Sequence, residues 1–315
     1  MVWNYKVDLA QAKRLATAYG KKNDTDVVFV FGDLSSVSHW DLRTEAIRRQ
    51  HRRANVLVLL STGGGSPHAA YGAGRFLQDT YTKVQVFVPT VCKSAGTLLA
   101  IAAHELLMTD IGELGPIDIQ QTRHDQWDSI SGLVENAAAK SLEDVSSRLF
   151  ARLVAETRRM GRVTFKTAAE AAVPIVTGAL SPIYAQIDPL RLGEAARGLE
   201  ISKEYAQRLN EESQNLETNA AEKLVAEYPD HNFMIDRKEA DELFKQVHAP
   251  CDALMAIRSH LGPLVHSDSG RRAFVTYLND DDEQTNEETT DDQASHPAAV
   301  LEEDGAAAEG ESAGD

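Results

Sequence analysis

Between residues 8 and 109, short apolar runs alternate with helical stretches, and this alternation constrains the fold more than any other feature. The runs are DVVFVFGDL (26–34), ANVLVLLSTGGG (54–65), KVQVFVPT (83–90) and ELLMT (105–109). Each is short, rich in Val, Leu and Phe, and bounded by turn residues, which reads as a buried strand. Between them lie helices over 8–20, 38–53, 66–81 and 95–103. The third has Ser66 as N-cap and Pro67 in its first turn. Its Ala69, Ala73, Phe76 and Leu77 share one face. The fourth is apolar all round, so it is expected to be fully buried. Strands alternating with helices predict an α/β fold, a parallel sheet with right-handed βα crossovers. In such sheets ligands gather outside the C-terminal ends of the strands.

After residue 120 the texture becomes helical. Residues 131–161 read as one long helix or two, with Val134, Ala138, Leu142, Val145, Leu149 and Leu153 as an apolar stripe. Residues 167–211 and 218–246 also read as helical, broken near 180–193. The expected organisation is an α/β core (1–160), a mostly helical C-terminal region (161–278) and an acidic tail (279–315), with the core boundary near 125–160.

The net charge of −16 is concentrated in that tail, which has 14 acidic residues and no Lys or Arg. The remainder is close to neutral. So acidic and apolar-poor a segment is expected to be disordered. Basic stripes with interleaved aromatics are missing, so nucleic acid is not an expected partner. Two distant cysteines, Cys92 and Cys251, fit a reducing compartment. The N-terminus lacks a signal pattern and the apolar runs are too short to span a bilayer, so a cytoplasmic protein without a transmembrane segment is expected. Metal-binding spacings are absent, and neither metal nor cofactor is expected.

Two strands deliver chemistry to the same edge of the sheet. One ends in Gly63, Gly64 and Gly65; the other leads to Ser94, at the entrance of the apolar helix. A serine hydroxyl needs a base to take its proton and donors for the oxyanion it creates. The backbone N–H groups of Ala95 and Gly65 are the natural oxyanion pair, with Gly64 and Gly96 letting a substrate lie close to the backbone. Taken singly, the glycines also fit a plain turn and Ser94 a plain N-cap.

The order and spacing of Thr62-Gly63-Gly64-Gly65-Ser66, Ser94-Ala95-Gly96-Thr97 and Gly115-Pro116-Ile117-Asp118 resemble the Clp-protease/crotonase-fold group. The resemblance is closest to the serine dehydrogenase proteinase family, relatives of signal peptide peptidase A and the Clp proteolytic subunit. It is strong over 54–120 and weaker to about 210. It implies a serine peptidase acting on peptide or protein substrates through an acyl-enzyme on Ser94, and a homo-oligomer. In one departure, Gly63 replaces the family's loop proline. The histidine register of the Clp subunit holds Asp118 or Ile119 here, so the resemblance points to a lysine base. Lys140, 46 residues past Ser94, is the nearest match, with His124 and Lys166 behind it; lying opposite the apolar stripe, Lys140 also fits a plain solvated surface lysine. Asp118 either orients a catalytic partner or closes a turn. Lys93 is expected to point away from the site, on the surface or at an oligomer contact, and His104 is expected as a partner for a helix C-terminus. Two alternatives stay open: a catalytically inactive assembly or binding protein of the same fold, and a crotonase-like acyl-CoA enzyme.

Overall fold

The computed structural model describes residues 7–117, 120–122, 129–266 and 274–279. They fall within one unit, Met1–Asp282; the expectation of a disordered tail rests on residues beyond those described. In chain order the elements are α1 (Leu9–Asn23), β1 (Thr25–Phe31), α2 (Ser36–Arg48), β2 (Asn55–Ser61), α3 (Pro67–Thr80), β3 (Lys83–Val88), β4 (Val91–Cys92), α4 (Ala95–Ile101), β5 (Glu105–Met108) and β6 (Glu113–Leu114). There follow β7 (Gln120–Thr122), β8 (Ser129–Ser131), α5 (Gly132–Gly161), α6 (Phe165–Tyr184), α7 (Pro189–Ser213), α8 (Ala220–Glu222), α9 (Arg237–Leu243), β9 (Val247–His248), α10 (Asp252–Leu261) and β10 (Phe274–Tyr277).

The central sheet has the order β10-β1-β2-β3-β5-β9. All neighbours run parallel except β10, which pairs antiparallel with β1. Alternate residues along each strand enter opposite layers, as a period of two requires. Val28, Val30, Val58, Leu60 and Val86 face the layer that holds α4 and parts of α2, α3 and α7. Val27, Phe29, Leu57, Leu59 and Phe87 face α1 and α10. The sheet is therefore covered on both sides, which is why its strands read as continuous apolar runs. Helix α4 is buried on every side, as its composition predicted.

The long helix over 131–161 is a single element, α5. The expected helix over 218–246 is not one helix. It breaks into α8, a π-turn over Lys223–Glu227, a loop, and α9. The sequence Tyr-Pro-Asp-His-Asn (228–232) interrupts it, because Pro lacks a donor N–H and Asp and Asn favour turns. Beyond it β9 adds an edge to the sheet, with Leu106 opposite Val247 and Leu107 opposite His248.

Candidate active site

The site forms where three loops are laced together past the C-terminal ends of β2 and β3. Thr62 N–H donates to the Val91 carbonyl at 2.9 Å, and Lys93 N–H donates to the Thr62 carbonyl at 3.0 Å. Strand β4 then pairs in parallel with β6. Thr97, fully buried on α4, joins the third loop: its hydroxyl lies 2.7 Å from the Gly115 carbonyl, and Gly115 N–H donates back to it at 3.2 Å. The same hydroxyl is 3.1 Å from the Cys92 carbonyl. Gly96 leaves room for this approach; a Cβ there would lie 2.4 Å from Thr62 Cγ2.

The glycine loop is held just as firmly. Leu34 N–H donates to the Gly64 carbonyl at 2.7 Å, and Ser66 N–H donates to the Leu34 carbonyl at 2.8 Å. Gly64 and Gly65 have φ of 132° and 128°, values that favour glycine. A Cβ on Gly64 would sit 3.1 Å from Ser94 Cβ and 3.5 Å from Ser94 Oγ. A Cβ on Gly65 would collide with the Leu34 backbone at 2.1 Å. Gly64 N–H is taken by Thr62 Oγ1 at 3.0 Å. Ser66 caps α3 by accepting from Ala69 N–H at 3.4 Å, as its sequence position predicts.

Ser94 sits between β4 and α4 with φ 50° and ψ −114°. Residues with a Cβ rarely adopt this conformation, and it costs about 1–3 kcal/mol. Its side chain makes no capping bond to α4, while its carbonyl accepts from Leu98 N–H at 3.1 Å. The plain N-cap role is therefore not the reason for a serine at this position. The residue is 7% exposed. Its neighbour Cys92 is fully buried, and burial pushes its thiol far up, against a smaller opposing pull from Lys93. A protonated, enclosed thiol is no nucleophile.

The structure thus brings Ser94, Gly64, Gly65, Ala95 and Gly96 together. Lys140 stands exposed on α5. Lys166 is also exposed, on α6, 4.0 Å from Glu170. Asp118 and His124 lie outside the described residues. Two expectations are corrected. The Lys93 side chain is only 13% exposed. It reaches Glu113 at 3.5 Å and the carbonyls of Leu114 and Phe233 at 3.3 and 3.1 Å, passing over Gly115, where a Cβ would lie 2.5 Å from Lys93 Cδ. His104 does not serve a helix end; its Nδ1 accepts from Val84 N–H at 3.1 Å at the start of β3. Sequence reading missed Thr97 as the residue that laces the site, although it stands three residues after Ser94.

Residues 36–156 match the family model of ClpP-like SDH-type serine proteinases. An uncharacterized protein of Methanocaldococcus jannaschii is 26% identical over 151 residues, 44% of this chain. The aligned part is 52% of that relative, so the chain spans about half the length of the curated relative it matches. Two solved structures of a membrane-bound stomatin-specific protease, 1510-N, each cover 46% of this chain. One, a serine-to-alanine mutant, is 17% identical with a TM-score of 0.29 over 67% of its own length. The other, a lysine-to-alanine mutant with a substrate peptide, is 18% identical with a TM-score of 0.30 over 63% of its length.

Proposed function

We propose that this chain, whose residues 36–156 match the ClpP-like SDH-type serine proteinases, hydrolyses peptide bonds with Ser94 as nucleophile. The observation that carries the reading is the backbone of Ser94, φ 50° and ψ −114°, next to a glycine loop with no side chain to block approach. A strained residue held in place by its surroundings is a common mark of a functional site.

In this reading Ser94 Oγ attacks the carbonyl carbon of the scissile bond. Its proton passes to a neutral amine, and the carbonyl oxygen becomes an oxyanion accepting from the N–H groups of Ala95 and Gly65. The C–N bond then breaks, the leaving amine takes the proton, and water hydrolyses the acyl-enzyme by the same route in reverse. We assign the amine to Lys140. An amine stays neutral near pH 7 only where water is excluded, and Lys140 is exposed in the single chain. A homo-oligomer that covers the first turns of α5 supplies that exclusion, and Asp118 orients the base.

Fluorophosphonate labelling tests the nucleophile. Label on Ser94, lost in Ser94→Ala, is expected; a well-folded Ser94→Ala protein that still hydrolyses peptides sinks the proposal. Lys140→Ala should abolish turnover as completely as Ser94→Ala, because members of one catalytic unit are not additive. Full activity in Lys140→Ala would move the base to His124 or Lys166. An unreactive Ser94 in an intact protein would favour an inactive assembly protein of this fold, and acyl-CoA turnover without labelling would favour the crotonase-like alternative.

A further inference from the structure

The end of the α5–α6 hairpin remote from Lys140 carries a cluster of cations and exposed apolar side chains. Between residues 148 and 166 there are six cations, Arg148, Arg152, Arg158, Arg159, Arg162 and Lys166, against one acid, Glu156, in a chain of net charge −16. Arg152 lies 3.0 Å from Glu156 and Lys166 lies 4.0 Å from Glu170. Among the described residues, Arg158, Arg159 and Arg162 have no carboxylate partner, and all three are exposed. Apolar side chains stand among them: Met160 is 79% exposed and Phe165 is 60% exposed. Further along α6 the chain has no charged residue from 171 to 187, and Val173, Ile175 and Ile183 are exposed too. The core between α5 and α6 is small, made of Val154, Ala168 and Ala172.

A helix this apolar is ordinarily buried, and an apolar patch left in the open marks a docking face. Charge narrows what covers it. A two-fold contact centred on this cluster would set its cations against the same cations of the other copy. An anionic lipid surface has phosphates for the cations and an acyl boundary for the apolar side chains. We propose that the α5–α6 hairpin docks on an anionic membrane surface, with Arg158, Arg159 and Arg162 among the headgroups and Met160, Phe165 and α6 at the acyl boundary. The docking is peripheral. No single described helix is long and apolar enough to cross a membrane; α6 and α7 meet that measure only as a pair bent by 71°. At 1.5 Å per residue, Arg162 lies roughly 33 Å along the hairpin from Lys140, so the docking end is separate from the proposed base. The inference goes beyond the peptidase reading and does not depend on it.

The test is flotation of the full chain with vesicles of phosphatidylcholine alone and of phosphatidylcholine mixed with phosphatidylglycerol. The chain should float with the anionic vesicles only, and less as salt rises. Replacing Arg158, Arg159 and Arg162 together by Gln should lower partitioning about a hundredfold, at about fivefold per cation. Replacing the same three by Lys should preserve it. Phe165→Ser should lower it about tenfold. Circular dichroism should match the parent in each case, since all four positions are exposed. Equal flotation on both vesicle types, no flotation on the anionic ones, or wild-type behaviour of the Gln variant would each overturn the proposal. So would sedimentation showing that Phe165→Ser dissociates an oligomer while the parent ignores lipid, which would give the face to a second copy of the chain.

Discussion

At the scale of single residues, Ser94 combines a chemical role with a conformational cost. Its φ of 50° strains any residue that has a Cβ. Ser94→Ala keeps that strain, whereas Ser94→Gly relieves it. Glycine returns about 0.5–1 kcal/mol through the greater freedom of the unfolded chain. Ser94→Gly should therefore be more stable than Ser94→Ala by about 1 kcal/mol, or roughly 1–2 °C in melting temperature for a chain of this size. Both should be inactive. If the glycine variant melts below the alanine one, the backbone at this site is not strained as described. The strain itself was not legible in the sequence. "KSAGT" announces a small-residue junction, but φ at residue 94 is set by β4, the glycine loop and Thr97 together.

At the scale of elements, the contact of α2 with α3 adds a dependence on pH. The His39 ring lies against Gly72, where a Cβ would meet its Cε1 at 2.6 Å, and it stacks on Trp40 at 5.9 Å between centroids. Burial holds its pKa below the ordinary histidine value, and the nearby Arg43 guanidinium pushes the same way. The folded state thus prefers the neutral ring, while the unfolded chain takes up a proton near pH 6.5. The contribution of His39 to stability is present above that pH and declines as pH falls below it. Urea unfolding at pH 7.5 and 5.5 should show His39→Phe losing less stability between the two than the parent does. An equal loss would mean that the ring is not held in its neutral form. These two helices were legible, down to Ser66 as cap and Pro67 in the first turn of α3. Their contacts were not, because sequence periodicity shows which face of a helix is apolar and not which neighbour that face meets.

At the scale of the whole molecule, a buried polar cluster closes the sheet. Asp26 is fully buried and pairs with Arg49 at 3.1 Å; the Arg49 side chain is 7% exposed. Tyr81 Oη donates to Asp26 at 3.1 Å, and Asn279 Nδ2 donates to the same carboxylate at 3.1 Å. The Arg49 guanidinium also lies 4.5 Å from the centroid of Tyr277 on β10. The cluster thereby fastens β10 over the open edge of β1, which would otherwise be a pairing hazard. Arg49→Met should cost about 3–5 kcal/mol in urea unfolding, because it leaves a buried carboxylate without its counter-charge. Adding Asp26→Asn to that variant should recover part of the loss, since the two positions are coupled. A loss below about 1 kcal/mol, the ordinary worth of an exposed pair, would show that the cluster is wetter than its burial implies.

By itself the sequence determined the α/β architecture, the parallel strands and the edge at which the glycines and Ser94 emerge. Each of these follows from the local period of apolar residues and from turn chemistry, which a short window of chain contains. Tertiary structure alone decided the rest. It half-buried Lys93 against Glu113 and Phe233, broke the expected helix over 218–246, and brought β9 and β10 to the two edges of the sheet. These outcomes depend on partners distant in the chain: Lys93 meets Phe233, Leu106 meets Val247, and Val28 meets Tyr277. Which distant residues meet is settled by the competition of whole elements for the same buried surface, and no local pattern records that competition.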